Sequence, residues 1–295
     1  MLPAVAATGT DQLRDGYADL SEVRLHYVEA GEGPLVVLLH GFPEFWFSWR
    51  FQLPALAAAG FRAVAPDMRG YNLSSKPAGV SAYDTERLAA DVRELILERG
   101  AKSAHLVAHD WGGAVAWVTA MNHPEVVQRL AILNLPHPRR FLLGLRRPHQ
   151  LLKSWYMFFF QVPWLPERLM RLRRWWGFRT WALGSAARAD AFTREDIDRY
   201  IEAWSQPGAA TATINYYRAV FRQTPRQALA RLGVVQAPTL VIWGERDRYL
   251  SKELAEPDPA DVPNLQRVVR LPAASHWVQH DEPERVNELL IEFFR

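Results

Sequence analysis

The chain of 295 residues carries 35 Lys/Arg against 32 Asp/Glu, is 49% hydrophobic and contains no cysteine. That length fits one large α/β domain with an insertion, or two small domains. The missing cysteine excludes a thiol nucleophile, disulfides and Cys-ligated zinc within it and suits a reducing setting, so the expected location is cytoplasmic.

Residues 1–5 are mildly apolar but lack a basic flank and soon meet Asp11, so no secretory leader is expected. Residues 23–29 alternate with the period of a strand, and 35–39 and 61–65 are short continuous apolar runs of the kind found in buried parallel strands. Residues 84–99 read as a helix with Leu88, Val92, Leu95 and Ile96 on its apolar stripe. A strand at 106–108, a helix at 112–121 and a strand at 130–134 follow. This alternation predicts an α/β fold, a mostly parallel sheet with helices on both faces. From 135 to 232 the chain is rich in Arg, Trp, Phe and Pro and reads as helices without a clear strand. Strand character returns at 239–243 and 266–271, and 283–294 reads as a terminal helix. The expected division is therefore a core at 1–135, a helical cap at 136–232 and the rest of the core at 233–295. A helical insertion between two strands of one sheet is expected to cover the carboxyl ends of the strands, where ligands bind.

Charge is unevenly spread. Residues 137–230 hold 16 Lys/Arg and 6 Asp/Glu, about +10 against about −7 elsewhere. Arg168, Arg171, Arg173 and Arg174, beside Trp175 and Trp176, resemble a nucleic-acid or anionic-membrane patch, but no nucleic-acid motif accompanies them. The expectation is a solvated helix face with the tryptophans packed inward. The most apolar stretch, 155–164, is half the ~20 residues of a membrane span, so no stable membrane insertion is expected.

The chemistry centres on Ala104-His105-Leu106-Val107-Ala108-His109-Asp110-Trp111-Gly112-Gly113. An apolar strand runs into a tight turn, and small residues open a helix, the layout of a nucleophile elbow. Serine at the tip would imply acyl transfer. Aspartate there implies a covalent alkyl ester formed by displacement at saturated carbon. Helix N-terminal N–H groups favour its ionised form. An Asp serving only as helix N-cap is the plainer reading, and the Trp-Gly-Gly that follows argues against it.

With His40-Gly41-Phe42-Pro43-Glu44, Arg69-Gly70-Tyr71-Asn72-Leu73-Ser74, His109-Asp110-Trp111-Gly112-Gly113, Trp243-Gly244-Glu245-Arg246-Asp247 and Ser275-His276-Trp277 in order, the chain resembles the α/β-hydrolase superfamily over essentially its whole length, and within it the epoxide hydrolases. The resemblance implies an eight-stranded, mostly parallel sheet with a helical cap. It implies Asp110 as nucleophile, His276 as general base and Asp247 as the acid that orients it. His280 is the rival base, Glu245 the rival acid; an acid at Asn134 is not expected. A metal held by His276 and His280 lacks a third ligand. The amides of Phe42 and Trp111 are the expected oxyanion hole, with His40 bracing that turn. Ala108 and Asn72 stand where the family commonly has Gly. Two cap tyrosines, Tyr156 and Tyr217 (or its neighbour Tyr216), would hydrogen-bond the epoxide oxygen, and Phe42, Trp111 and Trp277 would join them around the substrate.

The resulting expectation is a cofactor-independent epoxide hydrolase that takes a small-molecule epoxide and water, binds no nucleic acid or metal, and works as a monomer or homodimer. Two alternatives share these residues. A haloalkane or haloacid dehalogenase would use the same Asp-His-Asp set, but Phe42 and Gly112-Gly113 stand where such enzymes carry a halide-binding Asn or carboxylate-binding arginines. A non-catalytic ligand-binding homologue would keep only the fold.

Overall fold

The computed structural model describes residues 13–295; the expectation of no leader at residues 1–5 lies outside them. Eight strands, β1 (Arg14–Asp19), β2 (Arg24–Ala30), β3 (Leu35–Leu39), β4 (Arg62–Pro66), β5 (Ala104–His109), β6 (Val127–Leu133), β7 (Thr239–Gly244) and β8 (Leu265–Leu271), form one sheet in the order β1-β2-β4-β3-β5-β6-β7-β8. Strands β3 to β8 are mutually parallel, and β2 pairs antiparallel with both of its neighbours. The chain thus has the eight-stranded α/β-hydrolase architecture read from its sequence.

Because successive strand side chains alternate faces, a strand covered on both sides must be apolar throughout. In β3, Val37 and Leu39 join the core formed with α2 (Thr85–Glu98) and α3 (Trp111–Asn122). Val36 and Leu38 join the opposite core with α1 (Gln52–Ala58) and α12 (Pro283–Phe294). Asp84 caps α2 by accepting from the Glu86 N–H, which fixes where that helix begins.

Between β6 and β7 the chain forms α4 (Pro138–Gly144), α5 (Pro148–Lys153), α6 (Trp155–Phe159), α7 (Leu165–Ala182), α8 (Arg194–Ser205), α9 (Ala209–Val220) and α10 (Pro225–Ala230), with no strand. A short α11 (Val278–Asp281) precedes α12. The insertion meets the sheet's carboxyl end through buried polar contacts. Tyr200 Oη donates to Glu44 at 2.9 Å, Tyr216 Oη donates to the Arg69 carbonyl at 2.6 Å, and Trp204 Nε1 donates to the Pro43 carbonyl at 2.5 Å.

One expectation fails in α7. Trp175 is buried, 4% exposed, but Trp176 is 52% exposed. The cause lies in the backbone: Leu172 is extended and Arg173, Arg174 and Trp175 have positive φ, so the segment does not present one continuous helical face.

Candidate active site

Asp110 follows β5 and sits at the N-cap of α3 with φ 46° and ψ −122°, a strained conformation that lifts its side chain off the end of the sheet. Two close approaches hold the turn. A Cβ on Gly112 would lie 2.2 Å from the Leu39 carbonyl oxygen, and one on Gly41 would lie 2.3 Å from Asp110 Cβ. Only glycine fits at either position, so the sequence Trp-Gly-Gly brings α3 tight against β3. Ala108, by contrast, is an ordinary buried strand residue.

The Asp110 side chain caps no helical N–H. Its Oδ1 accepts from the Phe42 N–H at 2.7 Å, and its Oδ2 lies 3.6 Å from His276 Nε2. The Trp111 N–H is the first of α3, where the helix supplies no acceptor. His40 braces the Phe42 turn: its Nδ1 lies 3.0 Å from the Gly41 carbonyl oxygen, and its Nε2 accepts from the Met68 N–H at 3.0 Å. Asn72 takes φ 37° and donates to Asp67 at 2.8 Å, so the turn survives without glycine.

On its far side, His276 Nδ1 lies 2.7 Å from Asp247 Oδ2. Asp247 is held in turn by the Tyr249 and Leu250 N–H groups at 2.7 and 2.9 Å and by Asn134 Nδ2 at 2.8 Å. Asn134 directly follows β6 with φ 41° and also pairs with both backbone groups of Gly244, donating at 3.2 Å and accepting at 2.8 Å. It therefore serves as an amide clamp on the acid. The rivals lie elsewhere. Glu245 faces Arg270 at 3.5 Å, while His280 faces Glu44 at 2.7 Å and Arg50 at 2.8 Å.

Burial opposes charge on His276, but the Asp247 carboxylate on one side and Asp110 on the other outweigh it and push the imidazole up to about 10. At neutral pH His276 is thus an imidazolium between two carboxylates. Asp247 is also buried, and the His276 charge with the Asn134 and Leu250 hydrogen bonds keeps it below the usual carboxylate range. The raised imidazole contributes stability that is fully present below its ordinary value of 6.5 and fades as pH rises through about 10. An NMR titration, with the His276 resonance assigned by its loss in His276→Gln, is expected to show a midpoint near 10. A midpoint at or below the ordinary histidine value would contradict this electrostatic picture.

Tyr156 from α6 and Tyr217 from α9 reach Asp110 from the insertion. Their rings lie 5.8 Å apart, and Tyr217 packs edge-on against Phe42 and Trp111 at 5.2 and 5.0 Å. Tyr216, one residue earlier, turns away to the Arg69 carbonyl, as neighbours on a helix must diverge. Burial, with Asp110 and neighbouring tyrosines adding to it, holds both the Tyr156 and Tyr217 hydroxyls well above 10, so they remain neutral donors.

Asp110, Tyr156 and Tyr217 all line two cavities. The larger, about 180 Å³, is otherwise mainly apolar, with Trp111, Leu135, Phe141, Met157 and Leu250 in its wall. The smaller, about 10 Å³, adds Phe42, Tyr249, His276 and Trp277. Trp277 is fixed there by its Nε1–H, which donates to Ser185 at 2.8 Å.

A buried polar cluster behind the histidine was not legible as such. His109 Nε2 lies 2.9 Å from the His276 carbonyl oxygen and its Nδ1 lies 3.1 Å from Glu44. Glu44 also accepts from Gln279 at 3.1 Å and from Tyr200. Burial opposes the Glu44 charge, but His280, His109 and their hydrogen bonds keep its carboxyl well below the usual range. The only sequence signal was an acid and a histidine beside the turns that carry Phe42 and Asp110.

An elbow aspartate, a histidine fixed by a carboxylate after β7, and a helical insertion between β6 and β7 define an α/β hydrolase, and the alpha/beta hydrolase fold family matches residues 34–283. The chain is 40% identical over 282 residues to Epoxide hydrolase 4 of Homo sapiens, covering 93% of this chain and 76% of that one. It is 40% identical over 288 residues to AB hydrolase superfamily protein YfhM of Bacillus subtilis (strain 168), covering 97% and 99%. A crystal structure of Bacillus megaterium epoxide hydrolase in complex with an inhibitor matches with a TM-score of 0.87 and 34% identity, covering 95% of this chain and 99% of that one. The chain belongs to the epoxide hydrolase family.

Proposed function

We propose that the protein opens an epoxide to a vicinal diol through an ester on Asp110, within a core capped by residues 136–232. The observation that carries this reading is the meeting of one carboxylate and two neutral tyrosine hydroxyls in a single, largely apolar cavity. An epoxide carbon is attacked by Asp110 while Tyr156 and Tyr217 donate to the oxygen, which otherwise leaves as a poorly stabilised alkoxide. The C–O bond breaks, a tyrosine protonates the alkoxide, and His276 gives up the balancing proton.

Esterification itself switches the histidine. It neutralises Asp110, one of the two carboxylates that held the imidazolium, so the imidazole pKa falls and Nε2 becomes a base. The small cavity beside His276 has about the volume one water requires. His276 takes a proton from that water as its oxygen attacks the ester carbonyl, and the Phe42 and Trp111 N–H groups stabilise the oxyanion. Collapse releases the diol, which leaves with the carboxyl proton, restoring the Asp110 carboxylate and the imidazolium.

The test is diol formation from styrene oxide, terpene oxides, fatty-acid epoxides and small alkyl epoxides. Tyr156→Phe and Tyr217→Phe are each expected to lower kcat by ~10²-fold, the usual cost of one donor to a developing oxyanion. Halide release from haloalkanes with no diol from any epoxide would overturn the proposal. So would full activity in both Phe variants.

A further inference from the structure

The outer surface of the insertion at residues 158–176 takes no part in the proposed reaction. Phe158, Val162, Trp164, Leu169, Leu172 and Trp176 are all exposed there, Trp164 at 63% and Leu172 at 59%. Single exposed apolar side chains are ordinary, but six large ones within residues 158–176, on both sides of the backbone break at 172–175, exceed such scatter. Arg168, Arg171, Arg173 and Arg174 are interleaved with them, and among the described residues none of these forms an ion pair. The one acid of the stretch, Glu167, is buried and paired with Arg218 at 2.7 Å. Beside Trp176, Arg173, Arg174, Arg179 and Arg194 line an open basic cleft.

Phe158 and Phe221 pack edge-on at 5.2 Å, half-exposed, and each directly follows a residue of the cavity wall, Met157 and Val220 respectively.

We infer that this face lies on an anionic phospholipid bilayer, with the tryptophan, leucine and phenylalanine side chains among the glycerol and upper acyl groups and the arginines on the phosphates. Tryptophan suits that depth, and each arginine adds attraction to an anionic surface. A nucleic acid would satisfy the arginines but leave Val162, Leu169 and Leu172 without an apolar partner; a bilayer takes both. The contact is peripheral, since no helix of the described residues is long and apolar enough to cross a membrane. A lipophilic epoxide dissolved in the bilayer would be concentrated beside the insertion that carries Tyr156 and Tyr217. That consequence alone rests on the epoxide reading; the docking does not.

The experiment is flotation of the full chain with phosphatidylcholine vesicles, with and without phosphatidylglycerol, at low and high salt, beside a titration with duplex DNA. Salt-reversible flotation with the anionic vesicles only is expected. Arg173→Glu/Arg174→Glu is expected to weaken it at least tenfold, on the order of two surface charges reversed. Trp164→Ala/Leu172→Ala/Trp176→Ala is expected to weaken it similarly with every arginine in place. Unchanged circular dichroism verifies that both variants are folded. Absence of flotation with anionic vesicles at low salt would overturn the inference. DNA binding tighter than vesicle binding, with the apolar triple variant unaffected, would overturn it in favour of nucleic acid.

Discussion

Asp110→Ala is expected to reduce diol formation by ~10⁴-fold or more, the scale seen when a covalent nucleophile is removed. The methyl group cannot form the ester, and the two tyrosines can only polarise an epoxide that nothing attacks. The variant should stay folded. The Asp110 side chain makes one hydrogen bond, to the Phe42 N–H, and one charge contact, to His276, and the alanine inherits backbone strain of about 1–3 kcal/mol that the aspartate already bears. Diol yield measured beside Tm checks this, and turnover within tenfold of the unmodified chain at unchanged Tm would contradict the nucleophile assignment.

His276→Gln is expected to separate the two halves of the reaction. Asp110 still attacks, with the tyrosines donating to the epoxide oxygen and the balancing proton drawn from water in place of His276, but no base activates the water for the second half. The expected result is one equivalent of epoxide consumed in a burst, followed by hydrolysis ~10³-fold slower, within the range for loss of a general base. Intact-mass spectrometry should show the chain heavier by one epoxide, with the adduct on the peptide containing Asp110. Steady turnover without an adduct would show that His276 is not the hydrolytic base.

The fold was legible because its signals are local. Apolar runs such as residues 35–39 declare strands buried on both faces, and Asp84 ahead of a 3.6-residue stripe declares a helix start. Strand β1 escaped notice because Arg14–Asp19 lies at the sheet edge, exposed over most of its length, and carries no alternation. The elbow could be read because steric demands leave a mark on sequence: Gly41 and Gly112 are glycines for want of space.

What could not be read was set by contacts between distant segments. The clamp of Asn134 on Asp247 spans 113 residues, and the link from His109 to the His276 carbonyl spans 167. Neither leaves a local motif. Choosing Tyr217 over Tyr216 required knowing which face of α9 meets Asp110, and the outward turn of Trp176 depends on backbone angles that composition does not encode.

In the proposed reaction the ester on Asp110 forms and is then hydrolysed at its carbonyl. A single turnover in oxygen-18 water, with enzyme in excess over epoxide, tests it most directly. The first diol is expected to carry unlabelled oxygen from the Asp110 carboxylate, while the label appears in the Asp110 side chain. Labelled diol in that first turnover, with Asp110 unlabelled, would mean that water attacks the epoxide directly and would contradict the account.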